Sequence, residues 1–277
     1  MLFSKVNRWL TEKGLEMKNK SRLFRGGLCL VTLAVTLVWA TATRAADRYW
    51  IGSGGDWHDT ANWSETSGGS GGAAVPGSGD SAIFDGHSGD CSMSSSIKVG
   101  GLHLATNFTA TLTQNSAELE VLSSGYYQAG GTFLGGTKEI KITTTDRPYL
   151  LAGGHFTSTS SDLIIIRKNN TVENVFAVTN GVFNHNNGHV RIDCTTSVGA
   201  SVARWNVVTL VPTSFNDLTY AGGNALSTYY SGFNTINEGD TNLVVMGDFT
   251  IEANGNLVVN EGTIEIKGNF SQYNISK

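Results

Sequence analysis

The sequence predicts an all-β fold, a right-handed parallel β-helix behind an N-terminal signal peptide. Three observations carry that expectation. From residue 95 onward apolar and polar side chains alternate with period two, as in Glu118-Leu119-Glu120-Val121, Glu139-Ile140-Lys141-Ile142 and Thr263-Ile264-Glu265-Ile266-Lys267. Each such strand has one face for a core and one for water. A weak repeat overlies the alternation. Gly130-Gly131-Thr132-Phe133, Gly153-Gly154-His155-Phe156 and Asn180-Gly181-Val182-Phe183 place phenylalanines 23 and 27 residues apart, and Gly247-Asp248-Phe249 and Gly268-Asn269-Phe270 repeat at 21. Periods of 20 to 50 residues mark solenoids, whose units bury an apolar face only by stacking on neighbours. Third, Gly and Asn gather where strands would turn, and tight two-residue hairpin signals are scarce. A β-sandwich is the alternative, because short strands with turn signals also describe sandwiches.

The first element is the leader, residues 1–46. Lys5, Arg8, Lys13, Lys18, Lys20, Arg22 and Arg25 give a basic start, and Leu28 to Ala40 form an apolar run of 13 residues. Small residues follow at Ala40-Thr41-Ala42 and Thr43-Arg44-Ala45. This is the pattern of a cleaved secretory signal. The run is short of the roughly 20 residues that a spanning helix needs, so no membrane span is expected in the mature chain. An uncleaved anchor is the competing reading. Met17 begins a more ordinary signal and is a candidate true start.

Cleavage changes the charge. The leader holds 8 of the chain's 19 basic residues and 2 of its 23 acidic ones, which leaves 11 against 21 and a net charge of −10. Such a surface repels phosphate backbones, so no nucleic-acid partner is expected. The 34 glycines and three prolines fit many short strands joined by turns. Export permits a disulfide. Cys91 and Cys194 are the only possible pair once Cys29 is removed with the leader, and sequence leaves open whether they meet or remain half-buried thiols.

Residues 47–94 form a second element, a Trp- and Gly-rich cap segment, and residues 95–277 the β-helix repeats. The segment carries Trp50, Trp57 and Trp63, and a flexible loop tip at Ser67-Gly68-Gly69-Ser70-Gly71-Gly72. The three indoles have two readings. They can present flat faces to sugar rings as a carbohydrate-binding module, or plug the open N-terminal end of the solenoid, since tryptophan buries much area and tolerates a wet edge. The plug is the simpler reading.

At this point a family resemblance enters. Trp50-x-Gly52…Trp57…Ala61-Asn62-Trp63-Ser64…Pro76…Asp80-x-Ala82-x-Phe84 resembles the start of large exported bacterial surface proteins with β-helical stalks, the autotransporter-passenger-like and filamentous-haemagglutinin-like adhesins. Phe215-Asn216-Asp217-Leu218-Thr219 and the stretch from Gly247-Asp248-Phe249 to Gly268-Asn269-Phe270 resemble their recurring units. The resemblance implies a secreted or cell-surface structural or adhesin-like role. It brings no catalytic set and no cofactor, and it points to a surface polysaccharide or host-surface component as partner. Relatives of this style run longer, whereas this chain stops in mid-pattern at Tyr273-Asn274-Ile275-Ser276-Lys277. Downstream repeats or a capping partner are therefore expected.

Four groupings deserve weighing as chemistry. Glu118 and Glu120 stand about 7 Å apart on one strand face, within the range of inverting glycosidases, but any exposed E-x-E strand has that geometry. His185 and His189 flank Asn186-Asn187-Gly188, which reads as a turn with no third metal ligand. Asp56, Asp59, Asp80, Asp85 and Asp90 could hold calcium, yet they lack the spacing of a calcium loop, and turn capping explains them. Arg167-Lys168 is the sole adjacent basic pair of the mature chain, where a β-helical lyase or hydrolase would group its basic or acidic residues. No Ser-His-Asp pattern is legible. The expectation is a protein with no catalytic residues and no metal site.

Overall fold

The structure is a computed structural model that describes residues 45–144, 148–168, 173–194, 204–222, 232–236, 243–252, 256–259 and 264–273. Residues 1–44 of the expected leader, Met17 included, lie outside them. The described strands form a parallel β-solenoid, as the repeat and alternation predict, and not a sandwich. Among them the only antiparallel pair joins Asp47–Trp50 to Trp63–Ser64.

The chain visits three faces in turn. The first face stacks Ser81–Phe84 on the second half of Ile97–Leu104, then on the second half of Leu119–Gln128, and then on Tyr149–Thr157. The second face stacks Cys91–Ser92, Thr111–Thr113, Thr132–Leu134 and the later half of Tyr149–Thr157. The third stacks Ile97–Val99, Leu119–Val121, Ile140–Thr144, Asp162–Arg167, His189–Asp193 and Asp217–Ala221. The sequence repeats are the coil lengths. Phe133 is in register with Phe156, Phe156 with Phe183, and Phe249 with Phe270.

The core follows from this register. Phe133, Phe156 and Phe183 stack nearly parallel, at 4.9 Å and 11°, then 5.6 Å and 10°. A second column, Tyr126, Tyr149 and Phe176, stacks at 5.3 Å and 8°, then 4.6 Å and 2°. The columns meet edge to face, with Tyr149 against Phe156 at 80°. Both arrangements suit the ring quadrupole. The third face lines the interior with aliphatic pairs such as Leu119/Val121, Ile140/Ile142 and Leu163/Ile165, all closed to solvent. Each fully buried side chain of this kind contributes about 1.5–3 kcal/mol.

Corners need special chemistry, because backbone groups there leave the ladder while still buried. Gly131, Gly154 and Gly181 of the repeated motif adopt positive φ, at 60°, 76° and 91°. A β-carbon on Gly154 or Gly181 would meet the carbonyl oxygen of the glycine one coil before, Gly131 or Gly154. That contact explains why glycine precedes each Thr/His/Val-Phe. Two buried glutamines staple other corners. Gln114 Nε2 donates to Ala117 O at 2.8 Å and Lys138 O at 3.0 Å, while its Oε1 accepts from Gly136 N at 2.9 Å. Gln128 Nε2 donates to Gly130, Gly131 and His155 carbonyls, each at 3.1 Å. At the corner before the third face, Asp217 Oδ1 accepts from Asp248 N and Asp248 Oδ1 from Asn269 N, both at 2.8 Å. Asn269 closes this ladder as a donor, its Nδ2 also donating to Asp248 Oδ1 at 3.0 Å.

Candidate functional site

The N-terminal tryptophans come first, because sequence singled them out. Asp59 caps the short helix Thr60–Asn62 by accepting from Ala61 N at 2.9 Å. That turn brings Trp63 back beside Trp50 in antiparallel register. Trp57 and Trp63 meet at 4.8 Å, Trp50 and Trp63 at 5.3 Å, and all three surround Phe84 at about 6 Å. Trp63 Nε1 donates to Trp57 O at 2.6 Å. Their exposures are 0, 1 and 0% for Trp50, Trp57 and Trp63. Of the two readings of these residues, the packing agrees with the buried one rather than the sugar platform: their ring faces are spent on one another and on Phe84. Pairing does not break at residue 95. Asp47–Tyr49 already stacks in parallel on Ser81–Ile83, and Asp56 bridges to Ser92.

Of the two readings left open for Cys91 and Cys194, a disulfide or separate thiols, the structure has separate thiols, both buried. Cys91 occupies the interior row that continues through Leu112, Phe133 and Phe156 to Phe183, and Cys194 closes the coil containing Phe183. Four rungs of about 4.8 Å separate them by roughly 19 Å, far beyond the reach of a disulfide. Burial, with the Asp56 charge adding to it, pushes the Cys91 thiol far up from its ordinary range. Burial does the same to Cys194.

The acidic candidates are occupied as turn caps. Asp56 accepts from His58 N and Ser94 N, Asp80 from Ala46 N and Gly77 N, Asp85 from His87 N, and Asp90 from Thr111 N. Among the described residues no three metal-ligating side chains gather to hold an ion. Glu120 lies between Lys98 and Lys141 in one outward row and pairs with Lys98 at 2.7 Å. His185 and His189 part company across left-handed Asn186 and Asn187. Arg167 lies closed inside the solenoid.

Two polar chains were illegible in the sequence. Asp162 Oδ1 lies 2.9 Å from His189 Nδ1, and His189 Nε2 lies 2.9 Å from Thr219 Oγ1. The residues come from three successive coils. The order of groups is that of a hydrolytic relay. However, Thr219 is only 8% exposed, and neighbouring Arg191 is held by Glu252 at 2.8 Å. The strand N–H groups around it serve the ladder between coils. The second chain joins Asp56, His58 and Ser95. Ser95 Oγ is 3.4 and 3.3 Å from the two ring nitrogens of His58. A hydroxyl equidistant from both nitrogens is off the lone-pair axis of either.

No known protein family matches the chain, and neither curated proteins nor solved structures show significant similarity to it. The β-solenoid itself is thus the firmest basis for a functional reading.

Proposed function

We propose that this protein is an exported bacterial surface protein, of cell-surface or outer-envelope location, whose role is structural and adhesive rather than catalytic. The observation that carries the reading is the solenoid with its continuous aromatic and aliphatic interior. Stacked coils held by a ladder and two ring columns make a rod with a fixed outer surface, which suits holding one surface against another. The basic, apolar and small-residue pattern of residues 1–46 supplies the export route. The acidic mature chain keeps such a rod soluble and away from nucleic acid. Fractionation of the producing cells, with N-terminal sequencing of the recovered protein, tests the reading. The expected product begins near Ala46 and sits in the envelope or the medium. An intact N-terminus on a cytoplasmic protein overturns it. Incubation with soluble polysaccharides is expected to release no new ends, and reproducible cleavage overturns the non-catalytic part.

A further inference from the structure

The first face has an outward row that the tryptophans had obscured. Register places Tyr49 beside Ile83, Ile83 beside His103, His103 beside Tyr127, and Tyr127 beside Leu150. All five are half-buried. Beyond Leu150 the row continues as Ala177 and Val208, which are closed to solvent. The open part spans four rungs, about 19 Å at 4.8 Å per rung. His103 and Tyr127 touch edge to face at 5.8 Å. Burial lowers the His103 pKa, against the opposing pull of Asp47, which favours the neutral imidazole.

The residues beside the row are small, and Ser124 lies over Gly101. The adjacent outward row is Asp47, Ser81, Gly101 and Gly125. Ser123 and Ser124 are exposed next to it. The row therefore runs as a file of half-buried side chains with hydroxyls and one carboxylate along one flank, and small half-buried Ala105, Ala129 and Ala152 two positions beyond it.

We propose that the row Tyr49–Ile83–His103–Tyr127–Leu150 is a binding track for an extended neutral glycan lying along the solenoid axis. The occupant follows from size, polarity and charge. A specific protein partner covers about 800 Å² on each side, which five half-buried side chains do not offer. A sugar chain is one residue wide. Its C–H faces pack on tyrosine rings, whose phenols sit at the wet edge, and its hydroxyls meet the serines and Asp47. The net charge of −10 on the mature chain disfavours an acidic glycan. The track deepens the adhesive role proposed above and rests on it only for where the glycan is met.

The test is native affinity electrophoresis of the purified protein through gels containing hydroxyethylcellulose, xyloglucan or galactomannan. At least one of the three is expected to retard the protein. The Tyr49→Ala/Tyr127→Ala double variant should lose the retardation, with at least a tenfold weaker dissociation constant, while Tyr127→Phe keeps it. No retardation by any of the three overturns the proposal, as does unchanged retardation of a folded double variant. Should the double variant lose its β-sheet circular dichroism, nitration of the wild-type protein decides. The glycan is expected to slow nitration of Tyr49 and Tyr127 at least fivefold, and equal rates with and without it overturn the track. A cytoplasmic location would sink the surface role and leave binding in the gel untouched, so the two failures are distinguishable.

Discussion

Replacing Phe156 by alanine tests the central claim that ring columns hold the coils together. Phe156 is 1% exposed and touches four rings: Phe133 at 4.9 Å, Phe183 at 5.6 Å, and Tyr126 and Tyr149 at 5.3 Å each. Removing a buried phenylalanine costs about 3–5 kcal/mol through lost transfer energy and the cavity left behind. The lost ring pairs, at about 0.5–1.5 kcal/mol each and not additive, place this site in the upper half of that range. We expect about 4 kcal/mol. At about 2–4 °C per kcal/mol for a chain of this size, the midpoint should fall by roughly 8–16 °C. Guanidinium unfolding followed by far-ultraviolet circular dichroism measures the free energy, and a thermal scan on the same signal the midpoint. Phe270 is the control, because it occupies an equivalent motif position but is 48% exposed; Phe270→Ala should cost about 1 kcal/mol. A Phe156→Ala loss below about 1.5 kcal/mol, or one equal to that of Phe270→Ala, would refute the reasoning. It would mean that the ladder, not the stack, carries the stability.

Four further outcomes follow from the same geometry. The Tyr126 hydroxyl donates to Gln128 Oε1 at 2.6 Å, whereas the buried Tyr149 hydroxyl has no partner among the described residues. Tyr126→Phe should therefore destabilise by about 1–2 kcal/mol in denaturant titration and Tyr149→Phe should be neutral or stabilising. Gln114→Leu strands several buried corner groups and should cost about 2–4 kcal/mol, seen also as new proteolysis between residues 114 and 139. Denatured, unreduced mature protein should take up two alkylating groups by mass spectrometry, and a reductant should leave the melting temperature unchanged; fewer than two would restore a disulfide. Burial works to raise the Asp56 pKa, but hydrogen bonds from Ser94 and His58 outweigh it and hold the carboxyl below the ordinary range. A depressed folded value contributes stability above the unfolded pKa of about 4 and loses it as pH falls through the folded value. The wild type should thus exceed Asp56→Asn in unfolding midpoint at pH 7, and the gap should close as pH drops below about 4.

Much of the fold was legible because solenoid order is written locally. Alternation at Leu119/Val121 and Ile140/Ile142 names the inward residues without knowing the neighbours, since side chains on a strand point to opposite faces in turn. The Phe133, Phe156 and Phe183 spacings equal the coil lengths, since equivalent residues must stack. Gly131, Gly154 and Gly181 announce corners through a backbone conformation that other residues resist.

The sequence by itself determined the strand pattern, the coil period, the corner glycines and the acidic balance of residues 47–277. Only the tertiary structure decided what the tryptophans do and what the outer faces present. An indole serves equally as a sugar platform or as a core filler, and Asp59 and the turn after it choose the core by folding Trp63 onto Trp50. Cys91 and Cys194 are a pair in composition but four rungs apart in space. Asp162, His189 and Thr219, like Tyr49, Ile83, His103 and Tyr127, become neighbours only through register. Each lies 20 or more residues from the next along the chain, and coils of unequal length carry no local signal of which residues will share a row.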